Sequence, residues 1–223
     1  MKIKENINLI KSDLPQNVRL VAVSKTVSVE TILECYNANH KIFGENYVQE
    51  LVAKQPLLPN DIQWHFIGHL QSNKIKYIAP FVACIQSVDS EKILKAIDKE
   101  ARKNDRIIDV LLQFSIASDD SKFGFNPDET LSFLENNNYK NFKNVRICGV
   151  MGMSTFSDDE DLVRKEYRTL KSIFENLKKN IFNDESYFCE ISMGMSHDYN
   201  VAIEEGATIV RIGSKIFGER IYK

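Results

Sequence analysis

The sequence has no Cys-x-x-Cys pair. Its 4 cysteines, Cys35, Cys84, Cys148 and Cys189, are far apart, which removes the usual support for a zinc ribbon or a thioredoxin-like site. Cys84, Cys148 and Cys189 each lie in an apolar, strand-like run and are expected as buried free thiols. No run stays apolar for the ~18 residues a membrane helix needs. The opening MKIKENINLIKSDLPQ lacks the apolar centre of a signal peptide. A cytoplasmic location is therefore expected. Charge of one sign is missing too: 29 Lys plus Arg face 31 Asp plus Glu, a net charge of −2. That balance carries no footprint for nucleic acid or an anionic membrane. No linker rich in Gly, Pro or Ser divides the 223 residues, and no GxGxxG follows the first apolar run. The second absence removes the best-known nucleotide-binding form of an open α/β sheet.

What is present is a core and a rhythm. Hydrophobic residues make up 43% of the chain, too many for disorder. Short apolar runs alternate with amphipathic stretches. Strands are expected at 19–25, 41–45, 62–70, 83–89, 107–116, 144–153, 187–194 and 208–214. Their near-continuous apolar character suits a parallel sheet buried on both faces. Helix signals lie between them. Ser157-Asp158-Asp159-Glu160 reads as a capping box, followed by a stripe of Val163, Tyr167, Leu170, Phe174, Leu177 and Ile181. Asn126-Pro127-Asp128-Glu129 reads as a second helix start. Gly206 ends a helix that begins at Ser196. Eight strand–helix units predict an α/β fold, a single (βα)8 TIM barrel, filling residues 1–223 as one domain. MGMS occurs at 151–154 and again at 193–196, at a strand end each time.

Active sites of such barrels form where the strands end. Lys25 closes the first strand behind the apolar LVAVS. Partial desolvation there lowers an amine's pKa and exposes its lone pair, as a Schiff-base lysine needs; the alternative is a lysine leaving the rim for solvent. Phosphate in these barrels is often held by the loops after strands seven and eight. Here those loops are Gly194-Met195-Ser196 and Gly213-Ser214, which ordinary turn chemistry would also favour. Arg211 sits among apolar strand residues and needs a partner. Either a ring-nitrogen acceptor or a salt bridge to Glu45 or Glu190 would serve. His65 and His69 are four apart, which leaves both on one face of a strand. With no third ligand in view, they read as hydrogen-bonded histidines and no metal site is expected. Lys74 and Lys76 in QSNKIK read as solvated surface or, less simply, as an RNA patch.

The blocks VAVSKT (22–27), FGENYVQE (43–50), WHFIGHLQSNK (64–74), SKFGF (121–125), GVMGMS (149–154) and SMGMSHDYNVAIEEGATIVRIGSKIFGER (192–220) resemble the pyridoxal phosphate homeostasis proteins, the YggS/PROSC family. They keep the family's order and span residues 19 to 220. The resemblance implies a barrel like the N-terminal domain of alanine racemase and pyridoxal 5′-phosphate (PLP) as cofactor. It implies that Lys25 holds PLP as a Schiff base and that Met195, Ser196, Gly213 and Ser214 lie against the phosphate. It further implies that Arg211 faces the pyridine nitrogen, that Asn46 belongs to the pocket, and that Lys122 sits on a nearby loop without a catalytic role. The segment before Lys25 is shorter than the family's, so a stunted first helix is expected.

The same residues argue against robust catalysis. A guanidinium donates and leaves the pyridine nitrogen unprotonated, which weakens the ring as an electron sink. The second base of alanine racemase comes from a second domain, for which this chain leaves no residues. The expected function is cytoplasmic PLP homeostasis by a monomeric carrier that is not an enzyme, with PLP-dependent apoenzymes as recipients and no nucleic-acid or membrane partner. Three rivals remain: a weak amino-acid racemase or other PLP enzyme, a Schiff-base aldolase for sugar phosphates, and an RNA-binding scaffold using QSNKIK.

Overall fold

Eight parallel strands close on themselves in sequence order, so that each strand pairs with its neighbours in the chain and the eighth pairs with the first. The structure is a computed structural model and describes residues 2–118, 124–125, 133–134 and 138–218. The strands are β1 Arg19–Val23, β2 Ile42–Glu45, β3 Gln63–Phe66, β4 Cys84–Val88, β5 Ile108–Gln113, β6 Val145–Met151, β7 Glu190–Ser192 and β8 Ile209–Ile212. All eight expected strands are present, and each is shorter than its apolar run. The trimmed ends are loops, and the loops carry the site.

The helices α1 Lys2–Asp13, α2 Val29–Asn37, α3 Val48–Lys54, α4 Ile75–Ile78, α5 Glu91–Lys103, α6 Glu160–Asn180, α7 Tyr199–Glu204 and α8 Ser214–Phe217 connect or flank the strands. The first helix is 12 residues long. Side-chain caps explain several starts. Ser28 accepts from the Thr31 amide at α2, and Ser90 accepts from the Ile93 amide at α5. The start of α6 differs from expectation: Asp159, rather than Ser157, is the cap and accepts from the Leu162 amide at 3.2 Å. Ser157 instead takes the Asp159 amide. The α6 stripe is as expected for Val163, Tyr167, Leu170 and Leu177, which are buried, while Ile181 lies just past the last turn. The proposed helix start at 126–129, Lys122 and Arg220 fall outside the described residues.

Two apolar layers follow from the strand period of two. Leu20 and Ala22 of β1 face outward into the large layer between sheet and helices. Val21, between them, joins Cys84, Leu111, Cys148, Met151 and Ile209 in a second cluster, which fills the barrel interior. The interior is thus a packed core, as expected of this architecture. Cys35, Cys84 and Cys148 are buried, but Cys189 is exposed because β7 begins one residue later, at Glu190. Among the described residues, no helix is long and apolar enough to cross a membrane.

Candidate functional site

Alternation along β1 fixes where its side chains go. Arg19, Val21, Val23 and Lys25 share one face. Arg19 lines a cavity at the N-terminal end of the barrel, and Val21 lies in the interior cluster. Val23 and Lys25 then emerge in a cleft of about 390 Å³ at the C-terminal end. On β8, Ile209 lies in the interior and Arg211 reaches that same cleft. The remaining expected residues, Asn46, Met195, Ser196, Gly213 and Ser214, line it too. All seven residues that the sequence singled out for a cofactor therefore meet at one place.

Arg211 is buried, and no carboxylate pairs with it among the described residues. The salt-bridge alternative fails because both candidates are taken. Glu190 pairs with Arg19 at 2.6 Å, and Glu45 pairs with Lys54 at 2.9 Å. Arg211 instead donates through Nη1 to Ser192 Oγ at 2.7 Å and through Nη2 to the Gly152 carbonyl at 3.0 Å. Ser192 Oγ donates in turn to Gln86 Oε1 at 2.6 Å, and Gln86 Nε2 meets His65 Nδ1 at 2.8 Å. A buried polar chain therefore crosses the barrel from His65 to Arg211. Burial pulls the His65 imidazole down to about 3, with the Arg19 charge adding to the effect, so His65 is neutral and its Nδ1 accepts. His69 does not share its face: β3 ends at Phe66, and His69 lies in the following loop, 3.2 Å from Asp89.

The two loops expected to hold phosphate are tied together. Ser196 Oγ accepts from the Gly213 amide at 3.2 Å. Ser196 is not a helix cap, because α7 starts at Tyr199. The loop is organised by Asp198, which is buried. It accepts from the Met195 amide at 2.6 Å, from the Tyr167 hydroxyl at 2.6 Å and from the Ser154 hydroxyl at 2.7 Å. The Met195 amide is thus committed within the loop, and Met195 contributes its side chain to the cleft. Gly194 has φ +92, and a Cβ there would sit 2.6 Å from the Ala202 Cβ, so the turn needs glycine. The two MGMS copies are neighbours. Gly152 N donates to the Ser192 carbonyl, and Ser154 of the first copy binds Asp198 just after the second.

Sequence reasoning missed Ile67, Met153, Phe156 and His197, which complete the lining. Phe156 is 83% exposed and meets the His197 ring edge-on at 4.6 Å. Asn46 Oδ1 is buried without a hydrogen-bond partner, close under the wall of the cleft. The donor set fits PLP: an amine for an aldehyde, a buried guanidinium with no direct salt bridge among the described residues for a ring acceptor, and two hydroxyl-bearing loops for an anion.

The alanine racemase N-terminal domain family matches residues 1–221 of the chain. The pyridoxal phosphate homeostasis protein of Aquifex aeolicus is 40% identical over 205 residues, which cover 92% of this chain and 88% of that protein. The chain belongs to the pyridoxal phosphate homeostasis protein family. The human member is 37% identical over 222 residues, 94% of this chain and 80% of that protein. Among solved structures, PipY of Synechococcus elongatus with PLP bound superposes with a TM-score of 0.89 at 32% identity, covering 97% of this chain and all of that one. An alanine racemase from Clostridium difficile superposes with a TM-score of 0.80 at 14% identity and covers 61% of its own chain, a likeness of fold alone.

Proposed function

We propose that this protein binds PLP in the cleft, holds it as a Schiff base on Lys25, and serves PLP homeostasis without driving a robust reaction. The observation that carries this reading is the convergence of Lys25, the buried Arg211 and the Ser196–Gly213–Ser214 loops on one cleft. The names of the family's relatives and the PLP-bound PipY structure support it. When bound, PLP supplies an aldehyde that an amine captures reversibly and a ring able to withdraw electrons. Lys25 provides the amine. Ser196 and Ser214 offer hydroxyl donors to the phosphate. Arg211 offers a donor to the ring nitrogen and keeps it from being protonated, and Asn46 lines the pocket wall. In this reading residues 1–223 act as one barrel unit, a monomer in the cytoplasm that yields PLP to apoenzymes.

A holder is favoured over a catalyst by what surrounds the amine. A guanidinium stays cationic across the physiological range, so the ring it faces is a poor electron sink. Tyr167 is unsuited as a second base. It is fully buried and hydrogen-bonded to Asp198, and burial pushes its hydroxyl well above the usual phenol range. A second reading, weak PLP-dependent proton transfer, rests on His197, which shares the cleft with Lys25 and lies 3.2 Å from Asp198. One experiment separates the two. Loaded protein is mixed with an apoenzyme and, separately, with amino acids in deuterated water. A holder reactivates the apoenzyme and leaves the Cα proton in place. Rapid Lys25-dependent exchange of that proton would establish the enzyme reading instead.

A further inference from the structure

Lys25 lies between two anchored peptide groups. Before it, the Ser24 carbonyl accepts from Lys54 Nζ at 2.8 Å, and Ser24 Oγ donates to Glu45 Oε1 at 2.7 Å. After it, the Thr26 amide donates to Glu50 Oε1 at 2.5 Å. Lys54 joins the two sides, donating to Glu45 Oε1 at 2.9 Å and to Glu50 Oε1 at 2.5 Å. An ammonium has three N–H donors, and Lys54 spends them on Ser24, Glu45 and Glu50.

A helix-end lysine is normally solvated. Lys54 ends α3 yet is only 7% exposed, and Glu45 is fully buried with Oε2 unpartnered. Burying such an ion cluster is seldom a source of net stability. Burial pushes the Glu45 carboxyl up, against the pull of Lys54. Thr26 has φ +64, a left-handed conformation that a β-branched residue adopts at a cost. The cluster therefore holds a strained turn in place, immediately beside the amine.

We propose that Lys54, acting through Glu45 and Glu50, is a positioning residue for Lys25. It clamps the peptides on both sides, so that the lysine leaves the barrel wall in one direction, toward the cleft. This rests on the reading of Lys25 as the PLP-holding amine. The clamp also sets the local charge, since two carboxylates face one ammonium. Among the described residues, the other charged or titratable side chains that line the cleft are Arg211 on β8 and His197 after β7.

The test compares Lys54→Met and Glu50→Gln with the unaltered full-length protein. With PLP bound, the visible absorption band is followed against pH. Lys54→Met removes a cation from beside Glu50, favours the protonated form of the Lys25 nitrogen, and raises the midpoint by about 0.5–1 pH unit. Glu50→Gln removes an anion and lowers the midpoint by about the same amount. A second readout needs no cofactor: hydrogen exchange of the Thr26 amide in PLP-free protein accelerates at least ~10-fold in both variants. Midpoints that stay put, or that move in the same direction in both variants, overturn the clamp, as does unchanged Thr26 exchange. If Lys54→Met does not fold, Glu50→Gln decides both readouts alone. Lys25→Ala keeps the two claims apart. A band that survives it refutes the function, while Thr26 exchange still judges the clamp.

Discussion

Arg211 and Ser192 form a 2.7 Å hydrogen bond inside the barrel in which the serine accepts from the guanidinium and donates onward to Gln86. The direction matters. A serine whose hydroxyl hydrogen points to Gln86 has lone pairs left for Arg211, so the guanidinium is oriented without a direct salt bridge among the described residues. Its charge remains available to an acceptor in the cleft.

That arrangement predicts the effect of Arg211→Met. Loss of a hydrogen bond from a charged group costs about 1.5–3 kcal/mol, so PLP affinity falls by roughly 10- to 100-fold. Stability falls by about 1–3 kcal/mol as well, since the Gly152 carbonyl and Ser192 Oγ lose a buried donor. Absorbance titration with PLP and a thermal melt check the two halves. A large loss of melting temperature with unchanged affinity would make Arg211 a structural residue.

Ser196 and Ser214 are assigned to the phosphate rather than to the ring. Ser196→Ala and Ser214→Ala should each weaken PLP binding by about 10-fold. The same variants should bind pyridoxal, which lacks the phosphate, as the unaltered protein does. Equal losses for both ligands would move these residues away from the phosphate.

Gly194→Ala tests the loop itself. The added methyl meets Ala202 Cβ at 2.6 Å on a backbone with φ +92. We expect a loss of about 2–3 kcal/mol, read as a melting temperature about 4–12 °C lower for a chain of this size. PLP affinity falls with it, because Met195 and Ser196 follow directly in the loop.

Two buried histidines give the fold a pH dependence. Burial holds His65 at about 3 and His40 at about 4, both below the ordinary 6.5. Protons bind the unfolded chain first, so this contribution is complete above pH 6.5 and is lost as pH falls toward those values. Between pH 6.5 and 5 each histidine removes about 2 kcal/mol. Denaturant melts at pH 7, 6 and 5 should show the decline, and His65→Gln should make it shallower. An unchanged slope in that variant would mean His65 already titrates normally.

Much of this was legible in the sequence. Apolar runs separated by amphipathic stretches revealed all eight strands, because a strand buried on both faces has few ways to be written. Lys25 and Arg211 could be placed because period two carries an odd-numbered residue of β1 or β8 to the interior. The rest depends on contacts between distant segments. Lys54 and Glu50 are four apart on a helix and read as an ordinary surface pair. Nothing local shows that both turn inward to Lys25. Asp198 joins the ends of two strands that carry the paired MGMS copies, and nothing in its neighbours along the chain marks it for that. Phe156 and His197 lie on loops whose course no periodicity constrains. Ser196 was misplaced at a helix start because its hydroxyl serves the neighbouring loop, and of the two partners open to Arg211 the salt bridge fails because Arg19 and Lys54 hold Glu190 and Glu45.

The central claim is a covalent, reversible bond between PLP and Lys25, and the most direct measurement is peptide mass mapping after borohydride reduction of PLP-loaded protein. A reduced pyridoxyl-phosphate adduct is expected on the peptide carrying Lys25, with loss of both the adduct and the visible band in Lys25→Ala. An adduct on another lysine that persists in Lys25→Ala would contradict it.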